Sequence, residues 1–385
     1  MRKKLILLPF VSLVLAGPGA FGQDAQTPKA KRHEFVITNF KTESGVTLPQ
    51  ARVVYGTYGN LNEAKDNVVL LPSYYMANFH GYEWLIGADK ALDPSKLFLV
   101  ATELLGNGNS SSPSNTPEPY HGPRFPVTTI RDNVEAVHRL LAEELKIMHL
   151  RAIIGFSMGA EQAFQWAVSY PRFADRIVAT AGTAKCYPHG VVRLEGQIAA
   201  LTTDPAFANG DYKEQPQKGL EAFSVVWAGW LFSQEWWRRE LWREGARPGT
   251  TFEQVLNNFR TNFIPGADAN NLILQMRTWE KHDVGATPGF GVGAKGRTLT
   301  RPTARSTVID PSPAAHGTDV QNIRSLAERL GAQDQRCVGL GECPIDCART
   351  GESHDKRVLC GGCRNEPGRR SVECAARKVQ SIKQE

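Results

Sequence analysis

The chain has 385 residues, of which 41% are hydrophobic and 22% charged, and its formal net charge is +6. This composition is typical of a globular protein and excludes a wholly disordered or fibrous chain. Arg2, Lys3 and Lys4 carry three of the positive charges, so the remaining +3 argues against nucleic acid or an anionic membrane as a partner.

The first 22 residues predict a secretory signal peptide. The basic start precedes an apolar stretch, residues 5–16, which is shorter than the roughly 20 residues of a transmembrane helix. Ala20 and Gly22 then place small residues where a signal peptidase cleaves. A buried strand or helix is the alternative, and Pro9 within the stretch disfavours it. We therefore expect a periplasmic or secreted mature protein.

Apolar segments of strand length alternate with helical segments between residues 33 and 190. Residues 68–71 form a continuous apolar run that ends at Pro72, as expected of a central, buried strand. The alternation predicts an α/β fold with a doubly wound, mostly parallel sheet and a site at the carboxyl ends of its strands. The predicted strands are 34–39, 51–58, 68–71, 97–102, 150–154 and 176–180, and the predicted helices are 127–145 and 160–169.

The most informative motif is Gly-Phe-Ser-Met-Gly at residues 155–159, between a predicted strand and a predicted helix. This order is typical of a nucleophile elbow, whose two glycines let strand and helix pack closely around the serine. The Ser157 hydroxyl would lie at a helix N-terminus, where free N–H groups stabilise an oxyanion. We therefore predict Ser157 as the nucleophile and the Met158 N–H as an oxyanion donor. The alternative is a glycine-rich turn with an idle serine.

Residues 191–285 predict several helices and little strand structure. Five of the eight tryptophans lie within 16 residues of this segment, at positions 227, 230, 236, 237 and 242. They either form the core between the helices or line a helical cap that covers an acyl pocket. Both interpretations stay open, and they are compatible, because a cap has to pack before it covers a site.

The C-terminal segment, residues 286–385, has an atypical composition. The last aromatic residue is Phe290, and residues 296–385 contain 12 Arg but only 3 Lys. A zinc or disulfide module is one interpretation, since Cys360 and Cys363 have zinc-knuckle spacing and exported proteins form disulfides. The other, which we favour, is out-of-frame translation of a GC-rich gene. Six of the seven cysteines lie here: Cys337, Cys343, Cys347, Cys360, Cys363 and Cys374.

Several segments, taken in order, resemble the homoserine O-acetyltransferase-like α/β-hydrolases over most of residues 45–290. The resemblance implies an α/β-hydrolase fold with a helical cap, serine-based acyl chemistry that needs no metal or cofactor, and pairing into a homodimer. The matching segments are Gly-Val-Thr-Leu-Pro at 45–49, Tyr-Gly-Thr-Tyr-Gly-Asn-Leu-Asn at 55–62, Trp-Leu-Ile-Gly at 84–87, Lys-Ala-Leu-Asp at 90–93, Leu-Leu-Gly-Asn-Gly at 104–108, Phe-Pro-Val-Thr-Thr-Ile-Arg-Asp at 125–132, and the elbow.

The resemblance also implies roles for individual residues. Tyr75 would supply the second oxyanion N–H, Arg131 would lie near the substrate, and an Asp and a His, in that order, would complete the triad with Ser157. The chain departs from the family here, because no Trp follows Trp279 and the family's Trp-Gly-His motif is absent. We expect a strand at 306–309, with Asp319 and His354 as the triad partners; Asp310 and His316 are the other candidates.

Two acceptors are possible for an acyl group on Ser157. Water makes the protein an esterase, and homoserine makes it an acetyltransferase that uses acetyl-CoA. Residues 155–160 have Gly-Phe-Ser-Met-Gly-Ala where the biosynthetic enzymes usually have Gly-Gly-Ser-Met-Gly-Gly, and an exported enzyme would lack cytosolic acetyl-CoA. We therefore predict hydrolysis of a small-molecule ester. The non-enzymatic alternatives are an inactive scaffold with a damaged C-terminus and a binding module built on the cysteine-rich tail.

Overall fold

The structure, a computed structural model, describes residues 29–88, 90–244, 249–262 and 266–289, together with the backbone of 305–309. Strands predominate up to residue 102, helices and strands alternate between residues 130 and 180, and the elements described between residues 188 and 286 are helices. The strands are β1 Lys31–Lys41, β2 Thr47–Tyr58, β3 Val68–Pro72, β4 Phe98–Thr102, β5 Ala152–Phe156, β6 Arg176–Thr180 and β7 Arg305–Ile309. The α-helices are α1 Ile130–Arg139, α2 Met158–Ser169, α3 Pro188–Thr202, α4 Gln217–Leu231, α5 Gln234–Arg238, α6 Phe252–Asn262 and α7 Ala269–Glu280.

The described strands form one sheet in the order β1-β2-β4-β3-β5-β6-β7. All pairs from β4 to β7 are parallel, whereas β1, β2 and β4 pair antiparallel. β1 and β2 run antiparallel because a tight turn joins them, with Gly45 at φ 88°, and a short hairpin admits no other pairing. The mostly parallel sheet predicted from the sequence is confirmed.

Both faces of the central strands are covered. Along β3, Val68 and Leu70 pack on the face that carries α1 and α2, while Val69 and Leu71 point to the opposite face. That opposite face is covered by a 3₁₀ segment, Phe79–Leu85. Burial on both sides explains the uninterrupted apolar run in the sequence, because neither face of β3 meets solvent.

Helix α1 begins three residues later than the sequence predicted. Thr129 caps it: the Thr129 Oγ1 accepts a hydrogen bond from the Asp132 N–H (3.1 Å), and the Thr129 N–H donates to Asp132 Oδ2 (2.8 Å). This reciprocal capping box satisfies two N–H groups that the first turn of the helix leaves free. Residues 127–129 are therefore extended, and the helix ends in a π-helical turn, Leu140–Glu144.

Candidate active site

The predicted elbow is present, and its backbone is strained at the serine. Ser157 lies between β5 and α2 with φ 53° and ψ −124°. Residues other than glycine rarely adopt this backbone conformation, which costs about 1–3 kcal/mol. The surrounding contacts hold it there: the Ser157 N–H donates to Thr180 O on β6 (2.8 Å), and Ser157 O accepts from the Ala160 N–H (2.8 Å).

The two elbow glycines allow the close packing that this turn requires. A Cβ on Gly155 would lie 2.1 Å from Gly159 O, and a Cβ on Gly159 would lie 2.3 Å from Pro72 O. Both distances are far shorter than real side chains tolerate, and each contact is with backbone, which yields less easily than a side chain. Glycine is therefore required at both positions by steric exclusion, as the motif predicted.

The first turn of α2 presents unpaired donors beside Ser157. Within the described residues, neither the Ser157 hydroxyl nor the Met158 N–H has a hydrogen-bond partner. Because a helix N-terminus carries a partial positive charge and free N–H groups, a negatively charged oxygen is stabilised there. The Met158 N–H is therefore available in the described part of the chain, and its role as an oxyanion donor stays a prediction.

The second predicted donor lies in the turn after β3, residues 73–76, here called the oxyanion loop. No acceptor for the Tyr75 N–H is found among the residues that the structure describes. Two buried glutamines hold the loop at either end: Gln162 Nε2 on α2 donates to Ser73 O (2.7 Å), and Gln275 Oε1 on α7 accepts from the Met76 N–H (3.0 Å). These contacts fix the backbone around Tyr75, and Met76 has φ 62°.

Sequence reasoning did not find the two glutamines. Their partners are 89 and 199 residues away, so no local pattern indicates the contacts. The available signal was a polar residue at a buried helical position: Gln162 lies among Ala160, Ala163 and other apolar residues of α2 and is 2% exposed. A buried amide needs partners, and this requirement points to a backbone contact nearby.

Aromatic side chains from the helical segment form a wall against the oxyanion loop. The ring of Tyr75 stacks on Trp227 of α4 at a centroid distance of 5.0 Å and packs on Trp279 of α7 at 6.0 Å. Trp236 and Trp237, by contrast, pack with Phe232 away from this loop. The tryptophan cluster therefore divides, with Trp227 at the site and others packing between helices. The boundary between core (33–190) and cap (191–285) stays a prediction.

A group of buried polar side chains lies behind the elbow helix. Glu161, four residues after Ser157, is fully buried, and burial raises the pKa of its carboxyl well above the ordinary range despite a hydrogen bond from Trp279. Burial also raises the pKa of the Cys186 thiol to about 12, to which the nearby Glu161 and Glu280 contribute. The Cys186 thiol is therefore protonated at neutral pH and is not a nucleophile here.

His282 is the buried histidine of this group. Its Nε2 lies 2.9 Å from Thr183 O; because a carbonyl only accepts hydrogen bonds, Nε2 carries the proton. Burial lowers the pKa of the imidazole to about 4, so it is neutral at physiological pH. Among the described residues, His282 Nδ1 is buried and has no hydrogen-bond partner, so no hydrogen bond joins His282 to Ser157.

The predicted substrate residue Arg131 lies at the start of α1. Its Nε donates to Glu43 Oε1 (2.5 Å) and its Nη1 to Asp283 O (3.0 Å). The guanidinium therefore links β1–β2, α1 and the segment after α7, a structural role that the sequence did not indicate. Its contact with substrate stays a prediction.

The remaining predicted site residues lie outside the described part of the chain. These are Asp319 and His354, the alternatives Asp310 and His316, and the six tail cysteines. The predicted strand at 306–309 is confirmed as β7, which pairs parallel to β6 with Ile309 opposite Thr180. Since Thr180 O accepts the Ser157 N–H, β7 ends at the same edge of the sheet as the elbow.

Among the residues that the structure describes, no group of three or more His, Cys, Asp or Glu side chains could hold a metal ion. No helix in that part of the chain is long and apolar enough to cross a membrane.

Comparison with known proteins places this geometry in a family. The model of the alpha/beta hydrolase fold matches residues 66–264, which include the elbow and the oxyanion loop. The ethyl acetate hydrolase of Pseudomonas veronii is 35% identical over 280 residues, covering 71% of this chain and 77% of that protein. The chain belongs to the α/β-hydrolase family.

Members of the family with two activities are similar to this chain. A homoserine O-acetyltransferase of Nautilia profundicola is 34% identical over 55% of the chain and 63% of its own length. The crystal structure of an acetylester hydrolase from Corynebacterium glutamicum has a TM-score of 0.67 and 32% identity, covering 76% of this chain and 85% of that one. The resemblance to the homoserine O-acetyltransferase-like α/β-hydrolases is confirmed, and the chain is a serine-based ester enzyme of this family.

Proposed function

We propose that the protein hydrolyses short-chain carboxylic esters, acetyl esters foremost, through an acyl-enzyme on Ser157. The observation that carries the proposal is the strained elbow, where neither the Ser157 hydroxyl nor the N–H groups of Met158 and Tyr75 have a hydrogen-bond partner among the described residues, and where Gln162 ties the Tyr75 loop to the elbow helix. The similarity to an ethyl acetate hydrolase and to an acetylester hydrolase supports acetyl esters as the substrate class.

The proposed reaction has two halves. Ser157 Oγ attacks the ester carbonyl while its proton passes to an imidazole, and the two N–H groups stabilise the oxyanion. The tetrahedral intermediate expels the alcohol, which takes the proton from the imidazole. Water then gives a proton to the imidazole and attacks the acyl group, releasing the carboxylic acid and restoring Ser157. We propose His354 as the imidazole and Asp319 as its orienting carboxylate, with Asp310, which directly follows β7 in the chain, as the second candidate for the acid.

The aromatic side chains of Tyr75, Trp227 and Trp279 favour a substrate with a small acyl group. Tyr75, whose N–H is the proposed oxyanion donor, is itself 5% exposed, and its ring is enclosed by Trp227 and Trp279. We propose that the acyl group binds against these large side chains and that they favour a short acyl chain.

The decisive experiment measures hydrolysis of p-nitrophenyl acetate, butyrate and octanoate by wild type and Ser157→Ala. We expect kcat/KM to fall from acetate to octanoate and all activity to disappear in the variant. Incubation with acetyl-CoA and homoserine tests the acetyltransferase alternative; O-acetylhomoserine formed faster than acetate would replace hydrolysis as the function. No reaction in either assay by a folded protein would favour the inactive scaffold with a damaged C-terminus.

We also propose that the protein is exported and forms a homodimer through its helical segment. Residues 1–22 support export, and culture fractionation tests it: N-terminal sequencing of the exported form should begin near Gln23. The dimer is supported by exposed apolar side chains on α3, α4 and α6, namely Val192, Val226 and Phe252. Light scattering after size exclusion should give twice the chain mass; a monomer would contradict the dimer.

A further inference from the structure

The strands that carry the two oxyanion donors separate before they end. β3 and β5 pair only at Val69–Ala152 and Leu70–Ile153. β3 then continues to Pro72 and the oxyanion loop, and β5 continues to Phe156 and the elbow. The sheet therefore opens between the Tyr75 donor and the Met158 donor, at the point where their relative position matters most.

One side chain fills this opening. Tyr82 comes from the 3₁₀ segment Phe79–Leu85 on the far face of the sheet and is 1% exposed. Its hydroxyl donates a hydrogen bond to Pro72 O (2.6 Å) and accepts one from the Phe156 N–H (3.0 Å). A single phenol oxygen thus replaces the missing ladder contact and links the last residue of β3 to the residue just before Ser157.

The phenol is itself fixed in place. The ring of Tyr74 meets the ring of Tyr82 edge-on at 5.7 Å and that of Phe156 at 5.3 Å. The first turn of α2 packs closely against the Tyr82 hydroxyl, because a Cβ on Gly159 would lie 2.6 Å from that oxygen. Burial raises the pKa of Tyr82 above its ordinary value, so the hydroxyl keeps its proton for Pro72 O.

We propose that Tyr82 is a positioning residue that sets the separation between the Met158 and Tyr75 N–H groups. It touches neither substrate nor Ser157 Oγ; it acts through the backbone of Pro72 and Phe156. The expected effect on catalysis rests on the proposed ester hydrolysis. The hydrogen bonds of Tyr82 to Pro72 and Phe156 do not depend on it. Transition-state stabilisation depends on donor geometry, and a displacement of about 1 Å costs on the order of 100-fold in rate.

The test compares Tyr82→Phe with a matched control, Tyr58→Phe. Tyr58 is equally buried, and its hydroxyl contacts the same 3₁₀ segment, at Phe79 O (3.3 Å) and Glu83 Oε1 (2.9 Å), away from the elbow. Both variants lose one buried hydroxyl. With p-nitrophenyl acetate we expect kcat of Tyr82→Phe to fall about 10- to 100-fold at an unchanged KM, while Tyr58→Phe keeps the wild-type kcat. Equal kcat in the two variants would overturn the proposal.

A second measurement does not depend on activity. Amide hydrogen exchange of peptides covering residues 152–160 should be faster in Tyr82→Phe than in wild type or Tyr58→Phe, because the Phe156 N–H loses its acceptor. If the wild type hydrolyses no ester, the proposed function fails while this measurement still tests the bridge. Unchanged exchange in the elbow of Tyr82→Phe would overturn the positioning role even in an active esterase.

Discussion

Substitution of Gly159 by alanine tests the packing on which the elbow depends. The added Cβ would lie 2.3 Å from Pro72 O and 2.6 Å from the Tyr82 hydroxyl. Relief requires about 1 Å of movement between α2 and the end of β3, since an ordinary contact between carbon and oxygen is well above 3 Å. Overpacking of this kind lowers the free energy of unfolding by about 1–3 kcal/mol. The higher helix propensity of alanine offsets at most about 1 kcal/mol of that loss.

This movement would change the distance between the two proposed oxyanion donors. We therefore expect Gly159→Ala to lower catalytic activity more than thermal stability. We expect Gly159→Ala to lower Tm by a few degrees, at roughly 2–4 °C per kcal/mol, and to lower kcat about 100-fold. Gly196→Ala on α3 is the control, because its Cβ would meet nothing within 4 Å and should stabilise the helix by up to about 1 kcal/mol. Thermal unfolding and ester hydrolysis measure both. Matching Tm and kcat in the two variants would refute the steric account.

Three further substitutions test local features. Thr129→Ala removes the side-chain acceptor for the Asp132 N–H from the α1 capping box and should cost about 1 kcal/mol of unfolding free energy, measured by urea denaturation; no change would contradict the cap. Burial lowers the pKa of His282 from the ordinary 6.5 to about 4 in the folded protein. The folded protein therefore loses stability as pH falls from 6.5 to 4. His282→Gln should remove about 3 kcal/mol of that pH dependence, and parallel pH curves for variant and wild type would count against a buried neutral imidazole. Burial raises the pKa of Glu161, which has the opposite effect: the folded protein loses stability as pH rises above the ordinary glutamate pKa of 4.5. Glu161→Gln should therefore gain stability relative to wild type over that rise, and a constant difference would contradict the burial of this carboxyl.

The elbow was predictable because its determinants are local. A strand, Gly155, Ser157, Gly159 and a helix follow one another within about 20 residues, and the contact that requires Gly155 lies inside the motif, although the contact that requires Gly159 is with Pro72 on β3. The helical nature of residues 191–285 and the parallel sheet follow from periodicity in the same way. The sequence analysis placed the start of α1 at residue 127, whereas Thr129 is the N-cap and the helix begins at Ile130.

The parts that sequence reasoning missed are contacts between distant segments. Gln275 holds the oxyanion loop from α7, Tyr82 links β3 to β5 from the far face of the sheet, and Arg131 is bound by Glu43. None of these leaves a periodic or spaced signal, because each joins residues that only the fold brings together. Asp319 and His354 lie outside the described residues and stay predictions.

The central claim, that Ser157 is an activated nucleophile, is tested most directly by a fluorophosphonate probe. Wild type and Ser157→Ala, both without residues 1–22, would be labelled and digested, and the modified peptide identified by mass spectrometry. The account predicts one label per chain, on the peptide containing Ser157, and none in the variant. A folded wild-type chain that takes up no label, or that is labelled elsewhere, would contradict it.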